Sequence, residues 1–169
     1  MTLDPCLMTL DPALPASAQR VARAARRLGL DIAIRAFPEG TRTAEDAARA
    51  IGVEVGQIVK SLVFLADGRP VLCLVSGANR LDPARLAALT GARDVRRASA
   101  DEVQRHTGFA IGGVPPFGCR EPLAVYCDRD LLAYDVVWAA AGTPTTVFAA
   151  DPQRLAEAAA ATVADLKEP

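Results

Sequence analysis

From Ser17 onward the chain alternates between stretches with helical spacing of apolar residues and short runs with strand character. Ser17 reads as the cap of a helix over residues 18–28, closed by Gly29. Ile32, Ile34 and Phe37 then alternate with polar positions as a strand that ends at Pro38. Thr43 caps a second helix, with Asp46 where a capping box places Glu or Gln, and Gly52 ends it. IVKSLVFL (58–65) is the strongest strand in the sequence, Asp67-Gly68 is a hairpin turn, and residues 71–75 return as its partner. Asp82-Pro83 opens a helix that stops at Gly91, and a short strand covers 94–97. Ser99 and Glu102 make a capping box for a helix ending at Gly108.

FAIGGVPPFG (109–118) is rich in glycine and proline between apolar ends, the composition of a structured loop. Residues 123–127 read as a strand. Residues 136–141 and 145–149 read as a hairpin about Gly142-Thr143-Pro144. Asp151-Pro152 opens a last helix expected to reach about residue 164. Hairpins mixed with single crossovers imply an α+β fold, a mixed sheet with helices packed on it. No second domain is visible. Residues 1–16, with the small duplication MTLDPCL/MTLDPAL, read as a loose N-terminal leader without assigned function, and Met8 is an alternative start. Residues 17–169 form the domain.

Composition narrows the function. The chain has 169 residues, 51% of them hydrophobic, enough for one core without disulfides or metal. Its net charge of −1 gives no general footprint for gripping duplex, so any nucleic acid would be held locally, by an end. No signal peptide or membrane-spanning run is apparent, and a cytoplasmic location without membrane contact is expected. Cys6, Cys73, Cys119 and Cys127 form no C-x-x-C pair and read as small hydrophobes. With His106 the single histidine, no metal site and no cofactor are expected.

Lys60 changes the picture. In strand geometry it projects with Ile58, Leu62 and Phe64, while Val59, Ser61, Val63 and Leu65 project oppositely. A lysine there guards a sheet edge or snorkels to solvent, or it places a cation at the floor of a ligand pocket. Pattern alone favours the first two. Arg20, Arg23 and Arg27 make a small basic stripe on the first helix, read either as a solvated face or as a contact for phosphates beyond a bound 3′ end.

TRTAEDAARAIGVEVGQIVKSLVF (41–64) resembles the signature segment of the YbaK/EbsC family, which includes the insertion editing domain of bacterial prolyl-tRNA synthetases. The similarity continues through LVSGANRLD (74–82), TGFAIGGVPPFG (107–118) and WAAAGTPTTVF (138–148). The resemblance implies a mixed, partly barrel-like sheet and hydrolysis of the ester joining a wrong, small amino acid to the terminal adenosine of tRNA, usually tRNA(Pro). By position Lys60 is the family's essential lysine, and Gly112, Gly113, Val114, Pro115 and Pro116 match its G-x-x-x-P substrate loop. Ala140, Gly142 and Thr143 fall in the segment where the family often carries a Ser-Gly-Gly-type element, with alanine at the serine position. Phe37 stands where some members have tyrosine. Thr41, Arg42 and Asn79 are further lining candidates, each with an ordinary turn or cap explanation.

An aminoacyl ester is already activated, so a positioned water and stabilisation of the developing oxyanion suffice. With an ordinary pKa of about 10.4, Lys60 is a poor base and a good anchor for a phosphate or ester oxygen. The resemblance implies that the vicinal ribose hydroxyl assists the water. The expected partners are the aminoacylated 3′ acceptor end of tRNA and a prolyl-tRNA synthetase, with no DNA. Two other readings are a non-catalytic nucleic-acid-binding regulator and a synthetase-docking module without activity.

Overall fold

The computed structural model describes residues 13–37 and 43–169. The first helix, α1 (Ala16–Arg27), starts earlier than its serine suggested. Pro15 occupies the cap position, and its carbonyl accepts the first helical bond from the Gln19 N–H at 3.0 Å. Ser17 lies inside the first turn and does not cap. Gly29 closes the helix as expected, with the Gly29 and Leu30 N–H groups returning to Arg26 and Ala25.

After β1 (Ile34–Ala36) comes α2 (Ala44–Ile51), where the Thr43 hydroxyl accepts from the Asp46 N–H at 3.0 Å. A short 3₁₀ turn at Val55–Gln57 leads into β2 (Val59–Ala66), which pairs antiparallel with β3 (Arg69–Ser76). Asp67 and Gly68 both have positive φ, the requirement of the tight two-residue turn their sequence predicted. Next are α3 (Pro83–Thr90), β4 (Val95–Arg97) and α4 (Ala100–Thr107), the last held by the reciprocal Ser99–Glu102 capping box. Past the glycine-rich loop lie β5 (Ala124–Asp128), β6 (Val137–Ala140), β7 (Thr146–Ala150), α5 (Pro152–Ala158) and β8 (Thr162–Ala164).

The end of α5 corrects the sequence expectation. The helix stops six residues short, at Ala158; Ala160 takes φ 52°, and the β-branched pair Thr162-Val163 joins β5 as a parallel strand. Alanine-rich sequence favoured continuing the helix, but β5 would then have lost its outer partner.

Five strands form a mixed sheet in the order β4-β2-β3-β5-β8, and three form an antiparallel sheet, β1-β7-β6. Among the described residues the sheets are paired through one isolated bridge, Ile58 with Trp138, and do not close into a barrel. The principal core lies on the face of β2 that carries Val59, Val63 and Leu65. It takes in Leu72 and Leu74 of β3, Val21 of α1, Val103 of α4, Leu155 of α5, and the Phe117–Phe148 ring pair. The opposite face, with Phe64, Val71, Cys73 and Val75, packs under Leu86 of α3 and Leu166. A sheet apolar on both faces explains why 58–65 reads almost continuously hydrophobic. Both faces being occupied leaves its free edge as the place where a ligand can reach β2.

Candidate functional site

β4 pairs only with Phe64, Leu65 and Ala66, so the first half of β2 has no strand beside it on that edge. A cavity of about 520 Å³ fills the gap. Its walls are the free edge of β2, the start of α2 at Thr43 and Ala44, the hairpin β6–β7, and the loop residues Ile111, Gly112 and Val114.

Lys60 sits on this wall, half-buried, and its Nζ donates to the Asn79 carbonyl oxygen. Asn79 is itself fixed. Its side-chain amide donates to Asp128 Oδ2 and Asp130 Oδ2, both at 2.9 Å. Asp128 is 1% exposed and also accepts from the Ser76 N–H at 3.0 Å. Two carboxylates therefore hold the turn that aims one carbonyl at the ammonium. Burial lowers the pKa of Lys60 below its ordinary value; Glu45 opposes this, while Arg80 and Arg97 add to it. The aggregation-guard reading covers part of this geometry, since Lys60 does stand at an open edge. A wholly solvated guard would have neither the cavity around it nor a fixed partner.

The structure joins the two glycine-containing motifs. The Gly113 carbonyl accepts from the Gly142 N–H at 3.0 Å, and a Cβ on Gly113 would lie 2.7 Å from the Thr143 Cα. That contact is why a side chain is absent: the loop backbone lies directly on the turn of the β6–β7 hairpin. Gly112, Val114 and Ala140 line the cavity, whereas Gly113, Gly142 and Thr143 stand behind its wall. The Thr143 hydroxyl is used locally, 2.7 Å from Thr146 Oγ1.

Pro115 and Pro116 are buried outside the cavity wall, and Pro116 borders a separate recess with Leu28, Leu72 and Phe117. They stiffen the loop from behind and are not lining residues here. Asn79 acts through its carbonyl. Phe37 is half-buried under the Arg35 guanidinium, 5.3 Å from its ring centroid, and is also off the wall. Thr41 and Arg42 lie outside the described residues.

Several wall residues had no signal that singled them out. Ser61 was assigned to the far face of β2 from Lys60, yet the free edge lets it reach the same cavity. Trp138, from β6, also lines the cavity, with the Arg35 guanidinium 5.3 Å from its ring centroid. Arg97, from β4, adds a second cation. The stripe on α1 is partly committed to structure: Arg20 donates to the Gly108 carbonyl at 2.8 Å and covers the Phe109 ring at 4.5 Å.

The cysteines offer no nucleophile among the described residues. Burial pushes Cys73 and Cys127 up to about 12 and Cys119 up to about 11, so all three remain thiols at neutral pH. Among the described residues no group of His, Cys, Asp and Glu could hold a metal, and no helix is long and apolar enough to cross a membrane.

Residues 38–158 match the model of the aminoacyl-tRNA editing domain. The chain is 33% identical to the YwhH protein of Bacillus subtilis (strain 168) over 121 residues, 72% of this chain and 77% of that one. It is 34% identical over 93 residues to the proline–tRNA ligase of Maridesulfovibrio salexigens, covering 55% of this chain but 16% of the ligase. A solved structure described as a candidate trans-editing enzyme for prolyl-tRNA synthetase superposes with a TM-score of 0.88 at 50% identity, over 93% of this chain and all of that one.

Proposed function

The chain belongs to the aminoacyl-tRNA editing domain family, and from that premise we propose that it deacylates mischarged tRNA as a free-standing hydrolase. The substrate is a tRNA, foremost tRNA(Pro), carrying a small wrong amino acid such as alanine, cysteine, serine or threonine. Residues 17–169 are the editing unit, acting in the cytoplasm where tRNA is charged. The observation that carries this reading is the half-buried Lys60 ammonium on the wall of a cavity, held from behind by the Asn79 carbonyl.

A cation so placed attracts the terminal phosphate or the ester carbonyl oxygen, and Arg97 on the same wall reinforces the field. The Asn79 carbonyl fixes the ammonium before substrate arrives, so little reorganisation is needed as negative charge develops. Water attacks the ester carbon and the bond from that carbon to the ribose oxygen breaks. The ribose oxygen takes a proton, leaving a free amino acid and a tRNA with an intact 3′ end. The vicinal ribose hydroxyl, lying beside the reacting carbon in any bound pose, relays the proton. This assigns the base to the substrate, consistent with Lys60 serving as an anchor. Gly112 presents backbone without a side chain at the mouth, allowing close approach of the acyl-adenosine.

The test is single-turnover hydrolysis of tRNA(Pro) charged separately with alanine, cysteine, serine, threonine and proline. Release of at least one small residue with prolyl-tRNA spared supports the reading. Stability of every ester in the presence of folded protein overturns it in favour of a non-catalytic tRNA- or synthetase-binding module.

A further inference from the structure

Asp128 ends β5 as an almost completely buried carboxylate, and among the described residues it forms no ion pair. A charge kept from water is costly unless donors and opposite charge compensate it. Its Oδ1 accepts from the Asp130 N–H at 3.0 Å and caps the 3₁₀ turn Arg129–Ala133. That task needs no charge, since asparagine or serine caps as well. Oδ2 serves a different turn. It accepts from the Ser76 N–H and from the Asn79 side-chain amide, and the Asn79 carbonyl is the group that receives Lys60.

This turn is held at both ends. The Asn79 N–H returns to the Ser76 carbonyl at 2.9 Å, and the C-terminal residues hold its exit: the Asp82 N–H donates to Leu166 and the Glu168 N–H to Arg80, both at 2.8 Å. Asp130, more open to solvent, accepts a second bond from the Asn79 amide and pairs with Lys167 at 3.0 Å. Water screens that outer pair, whereas Asp128 acts from inside the protein. Lys60 is faced by Glu45 of α2, Arg80 of the turn, Arg97 of β4 and Asp128. Burial and the two arginines disfavour its charged form; Glu45, which is exposed, and the buried Asp128 support it.

Resting on the editing reading above, we propose that Asp128 and Asn79 are positioning residues for Lys60. The buried carboxylate fixes the Asn79 side chain, the Asn79 carbonyl holds the ammonium at the cavity wall, and the negative charge stands behind the cation. Neither residue lines the cavity, so both act through Lys60 and not on the substrate.

The chain itself supplies the readout. Lys60 and Lys167 are its two lysines, so carbon-13 at the lysine ε-carbon gives two NMR signals, assigned with Lys167→Arg. The full chain is compared with Asp128→Asn and with Asn79→Ala. The second keeps the carbonyl and removes only the amide, which retains the test if the buried substitution does not fold. Gly68→Ala, destabilised away from the cavity, controls for stability alone. Three quantities are measured: single-turnover deacylation, the Lys60 titration, and the Kd of an acceptor-stem minihelix carrying alanine as a non-hydrolysable 3′-amide. Both variants should lose turnover by about 10- to 100-fold at temperatures where they are folded. The Lys60 midpoint should fall in Asp128→Asn, because a supporting charge is gone. Asp128→Asn should weaken amide binding in the parent but not in Lys60→Ala, since it acts only through that residue. Gly68→Ala should keep both turnover and the Lys60 signal. Parent-like turnover in the folded variants, an unmoved Lys60 midpoint, or equal weakening of binding with and without Lys60 overturns the inference. Such results on a parent that hydrolyses the ester leave the hydrolase reading intact. A Lys60 signal that depends on Asp128, in a parent that hydrolyses no ester, removes that reading and keeps the positioning.

Discussion

Gly113→Ala tests whether the glycine-rich loop is held by contact or by backbone freedom. A Cβ at this position would meet Thr143 Cα at 2.7 Å and the Thr143 C and N atoms at 2.9 Å. These are backbone atoms in a hairpin turn and cannot rotate away. Relief requires the loop and turn to separate by several tenths of an ångström, which stretches the 3.0 Å bond from the Gly142 N–H to the Gly113 carbonyl. Overpacking of this kind costs about 1–3 kcal/mol and the weakened bond about 1 kcal/mol more, giving roughly 2–4 kcal/mol in all. For a chain of this size that is roughly 4–16 °C in melting temperature. Gly68→Ala is the matched control: its φ is +81°, but nothing lies within 4 Å of its Cβ, so only the left-handed backbone opposes alanine, at about 1–2 kcal/mol. Thermal and urea unfolding of both variants, with deacylation measured on each, gives the comparison. Gly113→Ala should be the less stable and should lose turnover, since Gly112 and Val114 move with it; Gly68→Ala should keep turnover. Equal or smaller destabilisation by Gly113→Ala would refute the close-contact reasoning.

Arg20→Ala should destabilise the fold by about 1 kcal/mol or slightly more, seen as a lower melting temperature, through loss of the Gly108 carbonyl bond and the Phe109 contact. Weakened tRNA affinity at unchanged stability would instead assign that arginine to RNA. The Arg96 guanidinium, with help from the Ser99 N–H, holds the Glu102 carboxyl at about 2, below its ordinary 4.5. The stabilisation from this depressed carboxylate is complete above the unfolded value and is lost as pH falls through the folded one. Glu102→Gln should therefore flatten the fall in melting temperature between roughly pH 5 and pH 2. An unchanged acid slope would contradict it.

The elements most legible in the sequence were those whose signals are local. Thr43, Asp82 and Ser99 cap their helices as their side-chain chemistry demands, and Asp67-Gly68 makes the turn. α5 was overextended because an alanine run carries helix propensity, while the parallel pairing of β8 with β5 depends on a strand more than thirty residues earlier. Ser17 was misread because a proline whose carbonyl starts the helix carries no side-chain cap to recognise. At the site, Lys60 was visible as a charge in an apolar strand. Its consequence was not, because the open edge beside it follows from where β4 stops pairing. Ser61 and Trp138 were hidden for the same reason: alternation assigns them to faces, and the cavity gathers residues around an edge. Pro115 and Pro116 share a motif with Gly112, yet the chain turns between them and leaves only its first part on the wall.

The most direct measurement is single-turnover release of the preferred small amino acid from tRNA(Pro) by the parent and by Lys60→Ala, with folding of the variant verified by its melting curve. Removing Lys60 takes one cation from an open edge and leaves both apolar cores intact, so the variant should fold. We expect it to lose nearly all turnover. A folded Lys60→Ala that releases the amino acid at the parent's rate would contradict the assignment of this cavity as the editing site.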